Sequence, residues 1–174
     1  MTILFYIFLT IIGIALLILV TGLMLPAERV VSRKGEFNIP PHELYNIVTN
    51  NHDWQYRSGL KDLVIIENKN GIEIWDEIAL DGSSIRFTTQ EKNPYTFYSF
   101  NMESALFTGY WTGEFEPDGK NGTIFTATEH IRVKNPFIKT LSYIFFDIGK
   151  FMDSYQNDLK QKTESIRSNK PILP

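Results

Sequence analysis

Two carboxylates stand where the surrounding pattern is apolar. Glu129 alternates with Phe125, Ala127, Ile131 and Val133, and Asp76 alternates with Ile72, Ile74, Ile78 and Leu80. Strand periodicity sends each set to one face, so each carboxylate shares its face with hydrocarbon neighbours. A carboxyl group in such surroundings has a raised pKa unless it finds a partner, and near neutrality it can act as an acid or a base. The alternatives are a counter-charge such as Arg86, or a face turned to the outside of the sheet. Tyr98 is a third candidate for catalysis.

Other chemistry is sparse. His42 and His52 fall in or after a short helix and are expected to be exposed. His130 shares a polar strand face with Thr126, Thr128 and Arg132. No two histidines have the spacing of metal ligands on one element, so no metal site is expected. The chain has no cysteine, which excludes a disulfide scaffold, a thiol nucleophile and Cys-ligated metals. No nucleophile elbow, P-loop or dinucleotide fingerprint occurs, and no cofactor is expected. Asn121-Gly122-Thr123 matches a glycosylation sequon but is read as a hairpin turn. The net charge of −3 argues against a general nucleic-acid binder.

The elements that must position these residues follow from the hydropathy pattern. The 174 residues are 43% hydrophobic and 21% charged, close to soluble averages, but the mean conceals a split. Residues 1–25 carry no charge, and the first charged residue is Glu28. A helix of that length spans about 37 Å, enough to cross a hydrocarbon core of about 30 Å. The missing basic n-region, the long apolar run and Leu25 near any cleavage point favour an uncleaved anchor over a secretory signal. Gly13 has no partner glycine four residues on, so a helix-dimer face is unsupported. Arg29, Arg33 and Lys34 on the C-terminal flank favour a cytoplasmic soluble domain.

Beyond the anchor, residues 30–39 alternate as a strand, and Pro40-Pro41 opens a short helix with an apolar stripe at Leu44, Ile47 and Val48. Strands are predicted at 63–67, 72–80, 84–89, 96–102, 109–116 and 123–133. Turns at Asn70-Gly71, Asp81-Gly82, Asn93-Pro94 and 117–122 separate them. Leu141, Phe145, Ile148, Met152, Tyr155 and Leu159 then predict one continuous helical face. The domain is therefore bounded at 26–167, between an anchor at 1–25 and a flexible tail at 168–174.

The order of strand, short helix, about six antiparallel strands and long C-terminal helix resembles the helix-grip fold of the SRPBCC superfamily. That superfamily includes START-like and polyketide cyclase/dehydrase-like proteins. Phe37-Asn38-Ile39-Pro40-Pro41-His42-Glu43-Leu44-Tyr45 is similar to the superfamily's strand end and proline-opened helix. Trp54 sits where many members carry a Trp, and Gly122-Thr123-Ile124-Phe125 resembles the common entry to the last strand. Trp54-Gln55-Tyr56-Arg57 departs from members with two nearby tryptophans. The resemblance covers about residues 28–165.

It implies an α+β fold: a curved antiparallel sheet of about 6–7 strands around a long helix, with an apolar cavity between them. Phe87, Tyr98, Phe100, Trp111, Phe125, Phe145, Ile148 and Met152 are the expected lining. The 14% aromatic content would then serve the cavity or simply fill a core. The expected function is a membrane-tethered binding module for an apolar or lipid-like small molecule, with the bilayer as partner through residues 1–25. The alternatives are a cyclase- or dehydratase-like enzyme acting through Glu129, Asp76 or Tyr98, and a ligand-free membrane assembly factor. Binding is favoured over catalysis, and the sequence does not define an oligomeric state.

Overall fold

The computed structural model describes residues 2–169. The charge-free N-terminus forms α1 (Thr2–Met24), a helix with mean hydropathy 3.1, long and apolar enough to cross a membrane. No residue of that apolar window is fully buried, although the rest of the protein partly covers its C-terminal end. β1 (Arg29–Phe37) follows, then α2 (Pro41–Val48), with a proline in its first turn where no intrahelical N–H is needed.

Six further strands run β2 (Leu60–Lys69), β3 (Ile72–Ala79), β4 (Ser84–Asn93), β5 (Phe97–Glu103), β6 (Thr108–Pro117) and β7 (Thr123–Arg132). All neighbours are antiparallel, in the order β1-β7-β6-β5-β4-β3-β2. Asn70 and Gly71 join β2 to β3 with φ of 54° and 81°, the paired positive values of the hairpin turn that Asn-Gly favours. The first and last strands of the meander meet because β1 pairs with β7 over nine positions, from Arg29 opposite Ile131 to Phe37 opposite Thr123.

The C-terminal segment corrects one expectation. It forms two helices, α3 (Pro136–Phe145) and α4 (Ile148–Asn169), rather than one. Phe146 is extended, with φ −119° and ψ 111°, and the Asp147 carboxylate accepts from the Lys150 N–H, capping α4. Arg29 closes the other side of the break by donating to the Ser142 and Phe146 carbonyls. Leu141 and Phe145 therefore do not continue the face of Ile148, Met152, Tyr155 and Leu159. Ser168 and Asn169 close α4, and the remainder of the expected tail lies outside the described residues.

The core lies between the inner face of the sheet and α4, where Ile148, Met152 and Leu159 are buried with Phe37, Trp75, Phe87, Trp111 and Phe125. Burying one such side chain contributes about 1.5–3 kcal/mol. α4 is closest to β1, and polar links hold it from outside: Arg33 to Asp153, Ser58 to Asp158, and Lys162 to Asp53.

α3 instead packs on α1. Gly22 has no room for a Cβ against the Pro136 carbonyl, and one turn further on the Thr140 hydroxyl donates to the Ile18 carbonyl at 2.8 Å. Gly22→Leu is expected to force the two helices apart and cost on the order of 1–3 kcal/mol, the usual range for overpacking. A thermal melt in detergent checks this, and a wild-type midpoint for the variant speaks against the contact.

Candidate functional site

The inner face of the sheet is a continuous aromatic wall. Trp75 stacks on Phe87 with centroids 5.2 Å apart, Phe87 meets Phe100 edge-on at 5.3 Å, and Phe100 stacks on Trp111 at 4.9 Å. Trp111 reaches Phe125 at 6.1 Å, so the wall crosses β3 to β7. Strand alternation aligns these rings, and aromatic pairs at such distances add to simple burial.

Of the predicted lining, Phe87, Tyr98, Trp111, Phe125, Ile148 and Met152 are buried here and Phe100 is half-buried. Phe145 is not among them. It is 80% exposed on α3, because the break at Phe146 turns its helix out of the register of α4.

Carboxylates interrupt this wall. Glu129 points inward and is 6% exposed, as the alternation of β7 requires. Among the described residues no hydrogen bond reaches its carboxylate. Burial, and then the negative charge of Glu77, push its pKa up to about 7 from 4.5.

Asp76, a candidate for the interior, instead takes the alternative of an outward face and an Arg86 partner. It lies on the outer face, where Arg86 holds both of its oxygens at 2.8 Å and keeps its pKa low. The inward set on β3 is Glu73, Trp75 and Glu77, while Ile72 is 51% exposed. Alternation fixes which residues share a face but not which face is inside. Here the Trp75–Phe87 stack sets the phase, and partners satisfy the two glutamates.

Those partners were not legible as site residues. Arg57 donates to both Glu77 oxygens at 2.7 Å, and the Trp75 indole N–H adds a third bond at 3.0 Å. Burial acts to lower the Arg57 pKa, but Glu77, and Tyr155 beside it, outweigh that and raise it. Glu73 accepts from Asn51 and from Asn68. The only local signal was the alternation of Glu73, Trp75 and Glu77.

Tyr98 is 1% exposed, and burial pushes its phenol pKa up. Its hydroxyl and that of buried Thr89 lie on neighbouring strands, and neither makes a hydrogen bond of sound geometry. Leaving a buried polar group unpaired costs about 1–3 kcal/mol.

On the outer face, His130 stacks on Tyr110 at 3.9 Å and lies 3.6 Å from Glu28, while His42 and His52 are exposed. The described residues contain no cluster of three metal-ligating acids, histidines or cysteines.

Clefts among the described residues include the following. One, of about 530 Å³, lies on the outer sheet face between Arg86, Asn101, Tyr110 and Arg132. Another, of about 20 Å³, lies between the end of β1 and α4 at Ile39 and Thr163. Neither is the apolar chamber expected between the sheet and α4.

No family profile and no curated protein sequence matches the chain. Solved structures do. The Zhui aromatase/cyclase from Streptomyces sp. R1128 matches with TM-score 0.66 at 9% identity, over 79% of this chain and 94% of that one. A START superfamily protein from Mycobacterium smegmatis matches with TM-score 0.61 at 18% identity, over 79% and 98%. Norcoclaurine synthase from Thalictrum flavum, solved with dopamine and hydroxybenzaldehyde, matches with TM-score 0.64 at 14% identity, over 87% and 92%. The fold is thus the helix-grip fold of SRPBCC and START-like proteins: an open seven-stranded antiparallel sheet with a C-terminal helix, preceded here by an apolar helix.

Proposed function

We propose that this chain is a membrane-tethered module that binds an apolar or lipid-like small molecule between the sheet and α4. One observation carries the reading. An aromatic wall carries the buried Glu129 carboxylate, which no hydrogen bond reaches among the described residues, and the buried Tyr98 and Thr89 hydroxyls, which have no well-formed partner beyond each other. A ligand with a hydrocarbon body and a hydrogen-bonding end satisfies both parts of that surface. Entry requires α4 to move outward, because the rings now touch one another; its exposed polar links can break at low cost. α1 supplies the tether, and Arg29, Arg33 and Lys34 favour a cytoplasmic domain.

Native mass spectrometry and lipid extraction of the detergent-purified full chain test the reading. A stoichiometric apolar ligand is expected. Recovery of none, with no melting shift across a panel of lipids and hydrophobic compounds, overturns it in favour of an assembly role. Tyr98→Phe is expected to change the stability of the empty protein by no more than about 1 kcal/mol in either direction, since the buried hydroxyl it removes has no well-formed partner beyond Thr89. The same variant should retain less ligand. Equal loading of variant and wild type excludes the hydroxyl as a contact.

A second reading rests on Glu129 alone. With a pKa near 7, its carboxyl is able to give or take a proton at neutral pH, as an enzyme on an apolar substrate requires.

A further inference from the structure

Four apolar side chains of α3 point away from the rest of the protein. Phe137, Leu141, Ile144 and Phe145 recur at i, i+4, i+7 and i+8 and so form one helical face. They are 37%, 40%, 65% and 80% exposed. No charged residue occurs from Thr140 to Phe146.

The other face of α3 is committed to α1. Pro136 lies against Gly22 and Thr140 against the Ile18 carbonyl, so the contacts run in antiparallel order. Ile18 precedes Met24 by six residues, about 9 Å along the axis. Whatever covers α1 to its last turns also meets the side of α3. α1 is apolar all round and none of its window is buried, so one lipid phase can cover both helices, whereas a protein bound to α3 leaves α1 bare.

The charges beside this face fit a lipid surface. Lys134 is exposed at the start of α3 and Lys139 lies within it, Lys150 beyond its end is exposed and 3.9 Å from the exposed Asp147, and Arg29 sits against the α3 carbonyls with its guanidinium 4.4 Å from the Tyr143 ring. Basic residues beside an apolar helix face are attracted to anionic headgroups.

We propose that α3 is a second membrane element, embedded through Phe137, Leu141, Ile144 and Phe145 in the headgroup and acyl boundary of the bilayer that α1 crosses. It rests on the reading of α1 as a membrane span. Its consequence is orientation. With α1 and α3 both held, the β1 start and β7 end of the sheet face the bilayer, and the domain does not swing on a single tether.

The natural absence of cysteine makes the test direct. Full-length single-cysteine variants Leu9→Cys, Ile144→Cys, Phe145→Cys and Gln161→Cys carry an environment-sensitive fluorophore in phosphatidylcholine–phosphatidylglycerol vesicles. Brominated acyl chains are expected to quench the labels at 144 and 145 roughly twofold or more relative to that at 161, which lies on the exposed face of α4. Quenching at position 9 with water-like labels at 144 and 145 overturns the insertion of α3 and leaves the tether standing. Water-like labels at all four positions overturn the tether and this inference with it. Agreement between 144 and 145 guards against local unfolding at either site.

Discussion

Glu129→Gln is expected to stabilise the folded protein by about 3 kcal/mol at about pH 8.5 and by nothing measurable below about pH 4.5. The sign follows from the direction of the perturbation. Burial and Glu77 raise the pKa in the folded state from 4.5 to about 7, so the native protein holds this proton more tightly than the unfolded chain does. The contribution of Glu129 is therefore fully present below pH 4.5 and is lost as pH rises through about 7. Each tenfold change in proton affinity corresponds to about 1.4 kcal/mol, which sets the size of the effect. Glutamine keeps the shape and removes the ionisation. In thermal melts the variant should exceed wild type by roughly 6–12 °C at alkaline pH for a domain of this size. Parallel pH–stability curves for the two proteins would mean that Glu129 is not buried as described. A bound ligand that donates to the carboxylate lowers its pKa, so ligand-loaded wild type should show a smaller pH dependence than ligand-free wild type.

Arg57→Met is expected to cost about 3–5 kcal/mol, because it leaves the Glu77 carboxylate buried without its counter-ion. Arg57 holds both Glu77 oxygens at 2.7 Å, and the Glu77 side chain is 6% exposed. Arg57→Lys keeps the charge but loses the two-point geometry and should fall between wild type and Met. The double variant Arg57→Met with Glu77→Gln should recover most of the loss, since the desolvated charge is then gone. Denaturant titration of the four proteins gives the coupling. A single-variant cost below about 1 kcal/mol would place the pair in the class of solvated surface bridges. The two predictions are connected through Glu77. Its charge helps to raise the Glu129 pKa, so Arg57→Met, which unscreens Glu77, should move the Glu129 titration further up, and Glu77→Gln should move it down.

The interior was only partly legible in the sequence. The apolar company of Glu129 was legible because β7 alternates with apolar residues at every second position, and the structure turns that face inward. For Asp76 the alternation left an outward face and an Arg86 partner open, and the structure takes that alternative because β3 offers two competing faces. The apolar residues Ile72, Ile74 and Ile78 alternate with Glu73, Trp75 and Glu77, and the charged set lies inside. That inversion depends on Arg57 and Asn51, which precede their glutamate partners by 20 and 22 residues and reach them only in the folded state. Phe145 was assigned to the interior because its spacing fits the later helix; one extended residue and one capping aspartate moved it to the surface.

What the sequence by itself determined was local. A charge-free N-terminal helix, a meander punctuated by Asn-Gly and Asp-Gly turns and a terminal helical segment follow from periodicity and backbone preference, which act over a few residues. The tertiary structure decided which side of β3 is inside, that α3 leaves α4 to pack on α1, and that aromatic stacking fills the interior around the buried Glu129 carboxylate and the Tyr98 and Thr89 hydroxyls. Those outcomes depend on contacts between residues far apart in the chain, whose energies no local pattern carries.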